Sequence, residues 1–501
     1  MNTDSSPRKY DGLQDFAREL ERRGALKRIS RPVSLVHEVT EIHHRVLTDH
    51  GPALLFEKPV NAAGNVVGMP LLANLFGTRE RIEWGFGLEA GKIGKLAQLL
   101  GELREPQAPA SLREAFSKLP LLQSALSLGV KTVARASCQE VVLTNEEIDL
   151  GRLPIQWCWP GEPAPLITWP LVITRGYADA ADVNVGIYRM QQLGKDRLIM
   201  RWLAHRGGAK HHRQWQAAGE DMPVAVAIGA DPQTILSAVM PLPENMSELF
   251  FAGVLRQRRS RVVNAVSQPI QVPANAEIVL EGRVSASEMA DEGPYGDHTG
   301  YYNAVERFPV MQVTAITMRR KPLYLSTYTG RPPDEPSVLG EAMTELFVPL
   351  VKKQFPEIVD LWLPPEACSY RAIVVSIDKR YPGQARRLMM GLWSMLPQFS
   401  YTKLIIVVDP DVNIRSWPDV MWALATRFDA SRDMVVIDDT PIDYLDFASP
   451  KPGLGGKLGL DATNKLAPEA TREWGRVLEM SPDVKTRVDA MWQDLGLGER
   501  S

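Results

Sequence analysis

Cysteine is nearly absent: Cys138, Cys158 and Cys368 are the three in 501 residues. They are odd in number, far apart and never in a Cys-x-x-Cys spacing, which excludes a disulfide framework and a zinc knuckle and suits a reducing cytoplasm. An excess of charge is also missing, with 57 Lys and Arg against 60 Asp and Glu and a formal charge of −3. A nucleic-acid partner is therefore not expected, since it calls for a basic excess and clustered basic stripes. Long apolar runs are lacking too. Segments 404–408 and 249–255 fall far short of the roughly 18 residues that cross a bilayer. Residues Met1 to Tyr10 are polar, so no secretory signal is expected and the expected location is the cytoplasm, with peripheral contact at the inner face of the cell membrane left open. No fixed-period repeat or low-complexity tract occurs. What remains is an ordinary globular composition, 45% hydrophobic and 23% charged, at a length that suggests about three domains.

Helical spacing marks 11–24, through Leu13, Phe16, Ala17 and Leu20, and again 36–47. A Pro/Ala-rich stretch at 106–109 indicates a boundary or long connection. The mixed apolar and basic segment 112–133, interrupted by Pro120, is either core packing or a membrane-surface contact. From 170 to 328 short β-rich runs follow one another (171–174, 183–188, 198–203, 224–228, 262–266, 278–284, 310–318), the pattern of a sheet or barrel. Beyond Arg331-Pro332-Pro333, helical segments alternate with strands expected to be buried at 372–377, 404–408 and 434–437, a βα rhythm that predicts a third, α/β domain with a polar helical tail from 468.

Several familiar motifs fail on spacing. His37-Glu38 begins like a zinc-binding HExxH helix, but Glu41 stands four residues after His37, and His43 and His44 follow too late. These are expected to be solvated helix residues. Gly453-Leu454-Gly455-Gly456-Lys457 fits neither a P-loop nor GxGxxG, and there is no GxSxG elbow. His205, His211 and His212 cluster, yet Arg201, Arg206, Lys210 and Arg213 surround them and would repel a cation. The reading is an anion-facing loop, with the basic residues around Gly207-Gly208 forming a phosphate cradle.

Two stretches carry chemistry. In Glu292-Gly293-Pro294-Tyr295-Gly296-Asp297-His298, two carboxylates flank a turn that can fold both inward. Sharing a site would raise one pKa and create a proton donor near neutrality; the alternative is a solvated acidic hairpin. In Val183-Asn184-Val185-Gly186-Ile187-Tyr188-Arg189, polar residues interrupt an apolar strand. Asn184 and Arg189, five apart, reach one site only if the strand ends or bulges between them, and Gly186 could supply the bulge. Glu248 opens an apolar helix-like run. With Asn184 it offers hard oxygen ligands for Mg²⁺ or Mn²⁺, or else it is a charge complementing the helix dipole.

At these residues the sequence resembles the UbiD family of decarboxylases, in particular the bacterial branch acting on 4-hydroxy-3-polyprenylbenzoate. The blocks are Gly51-Pro52-Ala53-Leu54-Leu55-Phe56-Glu57, Ala73-Asn74-Leu75-Phe76-Gly77-Thr78, Ala164-Pro165-Leu166-Ile167-Thr168-Trp169, 184–192, 199–208, 292–302, 327–336 and 442–450, so the resemblance spans nearly the whole chain. It implies an α/β multidomain (α+β) fold. The parts are an N-terminal α/β domain at 1–125, a central split β-barrel holding the flavin at 126–325, and a C-terminal α/β oligomerisation domain with a helical tail at 326–501.

The implied cofactor is prenylated FMN, matured by a flavin prenyltransferase, with its phosphate bridged to the protein by Mn²⁺, often beside K⁺. Asn184 and Glu248 match the family's metal ligands, and Trp202 stands where some relatives carry a histidine ligand. Ile187, Tyr188, Arg189, Arg201, Trp202, Leu203, Arg206 and Gly207 match the cofactor-binding segments. Arg189, Glu292 and Asp297 match the active-site network, with Asp297 as proton donor. The implied activity is a carboxy-lyase converting 4-hydroxy-3-polyprenylbenzoate to a 2-polyprenylphenol and CO₂ in ubiquinone biosynthesis, by a homo-oligomer, a hexamer on the family pattern. The alternatives are a family decarboxylase for another aromatic acid and a non-catalytic flavin-binding module.

Overall fold

The computed structural model describes residues 10–94, 96–97, 129–204, 206–240, 247–395, 397–492 and 494–495. The connection at 106–109, most of 112–133 and His205 lie outside the described residues.

The amphipathic stretches at the N-terminus form α1 (Leu13–Arg22) and α2 (Glu38–Thr48), with β1 (Leu26–Ile29), β2 (Ala53–Phe56) and β3 (Leu71–Ala73) beside them. All four residues of β2 and all three of β3 are buried, so both strands read as unbroken apolar runs. His43 is a correction to the expectation of a solvated helix. It is fully buried, its ring edge-on to Tyr328 at 4.8 Å between centroids.

The central region is an antiparallel sheet. In chain order its strands are β4 (Val141–Thr144), β5 (Leu166–Ile167), β6 (Pro170–Arg175), β7 (Val183–Ile187), β8 (Met190–Gln192), β9 (Arg197–Met200), β10 (Met222–Ile228), β11 (Ile278–Glu292) and β12 (Glu306–Met318). The spatial order is β7-β6-β10-β11-β12-β9-β8-β5, with β4 also on β12. Among the described residues no pairing joins β7 to β5, so the path stays open, as a split barrel requires. Two helices pack against it, α3 (Gly207–Ala218) between β9 and β10 and α4 (Glu248–Arg256) after β10. The strand Tyr324–Leu325 then leaves the central region and pairs with β3, so the N-terminal sheet takes its edge from a distant part of the chain.

A 20-residue helix, α5 (Glu335–Gln354), opens with an Asp334–Ser337 capping box and leads to the last sheet. That sheet has the order β13-β14-β15-β17-β16, where β13 is Ile358–Trp362, β14 Ala372–Ile377, β15 Leu404–Val408, β16 Met434–Pro441 and β17 Leu454–Ala462. The expected βα rhythm is present, with parallel pairing of β14, β15 and β17, but β16 is a correction to the expectation of a buried strand: it is the antiparallel edge strand, with Met434 and Val436 exposed. In the tail, the helix is confined to Pro482–Met491. No helix among the described residues is long and apolar enough to cross a membrane.

Candidate active site

The end of β7 sets the site. Its pairing with β6 stays in register from Val183 to Ile187, with no bulge at Gly186. The strand stops at Ile187, and Tyr188 and Arg189 turn the chain before β8. Gly186 has a different task from the expected bulge: a Cβ there would lie 2.5 Å from the Tyr188 ring, so its absence lets that ring fold back over the strand.

Arg189 projects onto both carboxylates of the turn after β11. Its Nε and Nη2 donate to the two oxygens of Glu292 at 2.8 and 3.2 Å, its Nη1 donates to Asp297 at 3.2 Å, and its Nη2 also donates to Asn303 Oδ1 at 2.7 Å. These bonds leave one Nη1 hydrogen of the guanidinium over. Arg201, at the end of β9, donates through Nη1 to the same Asp297 oxygen at 3.1 Å and through Nη2 to the Tyr444 hydroxyl at 2.5 Å. His298 Nδ1 meets the other Asp297 oxygen at 2.7 Å.

The turn is built to hold this pose. Gly293 sits at φ 90°, where a side chain is disfavoured. Glu162 accepts from the backbone N–H groups of Cys158, Trp159 and Gly296, tying the turn to the loop before β5. Tyr295 lies under Arg189, with the guanidinium carbon 5.3 Å from the ring centre.

Both carboxylates are buried, so the solvated hairpin is excluded. The expected rise in pKa does not occur at Asp297. Burial alone would raise it, but His298, Arg189 and Arg201 hold it far below the usual carboxylate range. Cations separate the two acids, and their mutual repulsion is not the controlling effect.

Helix α3 starts at Gly207 with Arg206 at its N-cap; its Gly208 N–H donates to the Tyr188 hydroxyl at 3.3 Å, and a helix start of this kind is where a phosphate is favoured. His211 and His212 correct the anion-facing loop. They lie on α3 and are buried, Nδ1 of His211 on Thr174 Oγ1 at 2.9 Å and Nε2 of His212 on the Ser285 carbonyl at 2.9 Å. Asn184 packs against the start of the helix: a Cβ on Gly207 would be 2.1 Å from its Oδ1. Glu248, the first residue of α4, accepts from the Val185 N–H at 3.1 Å, one residue from Asn184. Burial pushes its carboxyl up to about 7, opposed by backbone N–H groups.

These residues fit a phosphorylated cofactor bridged by a divalent cation. The Asn184 oxygen meets the start of α3, the Glu248 carboxylate lies on the N–H of the next residue, and the buried Arg201 Nε and Trp202 Nε1 have no hydrogen-bond partner. Among the described residues no group of three or more His, Cys, Asp or Glu could hold a metal ion. Three residues that hold the network had been given no role by the sequence reading: Asn303, His298 and Tyr444. The last two lie within blocks that carried the resemblance.

A cavity of about 600 Å³ opens beside the network. Arg189, Arg201, Arg206 and Asp297 line it from the central sheet, while Leu339 and Met343 of α5, with Leu361, Leu363 and Phe399, line it from the C-terminal side.

Comparison with known proteins gives three family models in chain order. These are the N-terminal domain of 3-octaprenyl-4-hydroxybenzoate carboxy-lyase at 17–100, its Rift-related domain at 131–332 and its C-terminal domain at 337–462. Among solved structures, the chain is similar to the closed form of vanillic acid decarboxylase from Sedimentibacter hydroxybenzoicus at 25% identity and TM-score 0.79, covering 98% of this chain and 100% of that one. It is also similar to the UbiD-class enzyme HmfF from Pelotomaculum thermopropionicum in complex with FMN, at 28% identity and TM-score 0.78, covering 95% and 99%. An evolved dimeric form of HmfF, in complex with prenylated FMN (prFMN), matches at 27% identity and TM-score 0.76, covering 95% and 98%.

Proposed function

Because the chain belongs to the UbiD family, whose members are carboxy-lyases, we propose that this decarboxylase acts on a 4-hydroxy-3-polyprenylbenzoate and releases a 2-polyprenylphenol and CO₂. The single observation that carries the substrate is the cavity. It joins an arginine and carboxylate network to a wall of Leu339, Met343, Leu361, Leu363 and Phe399, a shape suited to an aromatic acid with an apolar tail. The setting proposed is ubiquinone biosynthesis in the cytoplasm, by a homo-oligomer that makes peripheral contact with the membrane where such substrates partition.

Prenylated FMN, delivered by a flavin prenyltransferase, is the proposed cofactor. When bound it supplies the electron sink for the pair left on the ring as CO₂ departs. Arg206, Gly207 and the start of α3 would take its phosphate through Mn²⁺ held by Asn184 and Glu248, with K⁺ nearby. Ile187, Tyr188, Trp202 and Leu203 would pack around it. Arg189 would present its remaining Nη1 hydrogen to the substrate carboxylate, held in aim by Glu292 and Asn303. Asp297, on the same guanidinium, would deliver the proton that replaces CO₂.

A second reading, a smaller aromatic acid, is favoured by the likeness to vanillic acid decarboxylase. A non-catalytic flavin carrier would have no use for three charged side chains buried at the cost of their hydration. Kinetics on 4-hydroxybenzoate with and without a 3-prenyl group separate the readings. Burying one isoprene unit gains about 0.8 kcal/mol per methylene-sized group, so kcat/KM should rise at least about tenfold with the prenyl group. A preference for vanillate or the unsubstituted acid would select the second reading.

A further inference from the structure

We propose that His298 is a positioning residue that passes protons from solvent to Asp297 during turnover. The proposal rests on the decarboxylase reading above. Losing CO₂ from a carboxylate and forming a C–H bond consumes one proton per cycle, and Asp297 is held ionised at rest by its neighbours. It must therefore be recharged.

Asp297 has three side-chain donors: Arg189 Nη1 at 3.2 Å, Arg201 Nη1 at 3.1 Å and His298 Nδ1 at 2.7 Å. A guanidinium does not give up its proton in a protein, and an imidazolium does so near neutrality. Of the three, only His298 can act as a source.

Its location suits the task. The His298 side chain is 21% exposed, against 10% for Asp297, so of the two bonded groups it has the greater access to water. The charged groups facing it are Asp297 on its own turn, Asp334 at the start of α5, and Asp443 and Arg371 of the C-terminal region. Burial lowers its pKa, but Asp297 and Asp443 outweigh burial and Arg371, and it is raised above 6.5.

The step balances. The Nδ1–H bond of the imidazolium breaks as an O–H bond forms on Asp297. That O–H then breaks as the ring carbon gains its hydrogen, and neutral His298 takes a proton from water. Because the folded pKa is raised, the charged form is complete below its ordinary value and is lost as pH rises through the raised one. The rate should fall over the same alkaline range.

The test uses flavin-loaded enzyme from co-expression with a flavin prenyltransferase, following CO₂ release from 4-hydroxy-3-prenylbenzoate from about pH 6 to pH 9. His298→Gln and His298→Asn keep a hydrogen-bond donor but cannot titrate. They should retain flavin, lose about tenfold or more in kcat, lose the alkaline limb, and recover rate when imidazole is added. An unchanged rate and profile, or a loss that keeps the wild-type profile and resists imidazole, would make His298 a packing residue and overturn the proposal. The wild-type profile is a readout without a variant: no alkaline fall overturns the proposal even if neither variant folds. Wild-type enzyme that releases no CO₂ would overturn the substrate reading as well, whereas turnover with unaltered variants overturns this proposal alone.

Discussion

Asp297 shows how far a pair of residues can mislead when its neighbours are unknown. Two acids five apart on a turn suggest repulsion and a raised pKa, but His298 beside Asp297, Arg189 in the turn between β7 and β8, and Arg201 just past β9 reverse the sign. Asp297→Asn removes the titrating oxygen and keeps the shape. It should lower CO₂ release by about a hundredfold or more, with flavin content unchanged by absorbance. Glu292→Gln loosens Arg189, which also holds Asp297, so the double variant should be much less impaired than the product of the two single losses. Multiplying losses would mean that the residues act independently. Arg189 is legible as chemistry because a charge rarely interrupts an apolar run without a partner, and Glu292 and Asp297 because two carboxylates flank one Gly-Pro-Tyr-Gly turn. Asn303 was not, because an asparagine in a polar turn signals nothing until its Oδ1 is seen to accept from both Arg189 and Tyr295.

Elements were legible where burial is continuous. Strands β14 and β15 have the bounds read from sequence and are buried along nearly their whole length, β15 as an apolar run and β14 as one interrupted only by Ser376. Strand β11 was read as ending at 284, because 285–291 is polar and partly exposed, yet it continues to Glu292 through long-range pairing with β12 that no local pattern encodes. Helix α3 is hard to read from sequence for a related reason: two adjacent glycines begin it, and His211 and His212 on its buried face bond Thr174 and the Ser285 carbonyl in place of an apolar stripe. Its start offers a test. In Gly207→Ala the new Cβ would displace Asn184, so flavin retention on gel filtration should fall, whereas Gly219→Ala at the other end (φ 74°, no atom within 4 Å) should cost only about 1 kcal/mol of stability and keep the flavin. Equal flavin retention in both would detach the helix start from cofactor binding.

Across the whole molecule, the parts are joined by side chains whose partners are remote in sequence. One hydrophobic core runs from Tyr10 through the central sheet to Leu346 of α5, while the C-terminal sheet has its own clusters on its two faces. Tyr444 crosses from that last region to Arg201. Glu335 crosses from α5 to the Phe76 N–H at 2.7 Å and lies 3.4 Å from His43. Burial pushes Glu335 up to about 7 from 4.5, so between those values the folded protein binds a proton the unfolded chain does not, and this contribution is lost as pH rises. Glu335→Gln cannot titrate. Relative to wild type its stability, followed by thermal melting, should therefore rise between about pH 5 and pH 8 by on the order of 3 kcal/mol at most, and a constant difference would show that burial leaves the Glu335 carboxyl unshifted. The central claim, decarboxylation at the network beside the cavity, is tested most directly by incubating flavin-loaded protein with a 4-hydroxy-3-polyprenylbenzoate and quantifying both products. The account predicts equimolar CO₂ and 2-polyprenylphenol from protein co-expressed with a flavin prenyltransferase and neither from protein made without it. Loaded protein that leaves the acid intact, or equal turnover without the flavin, would contradict it.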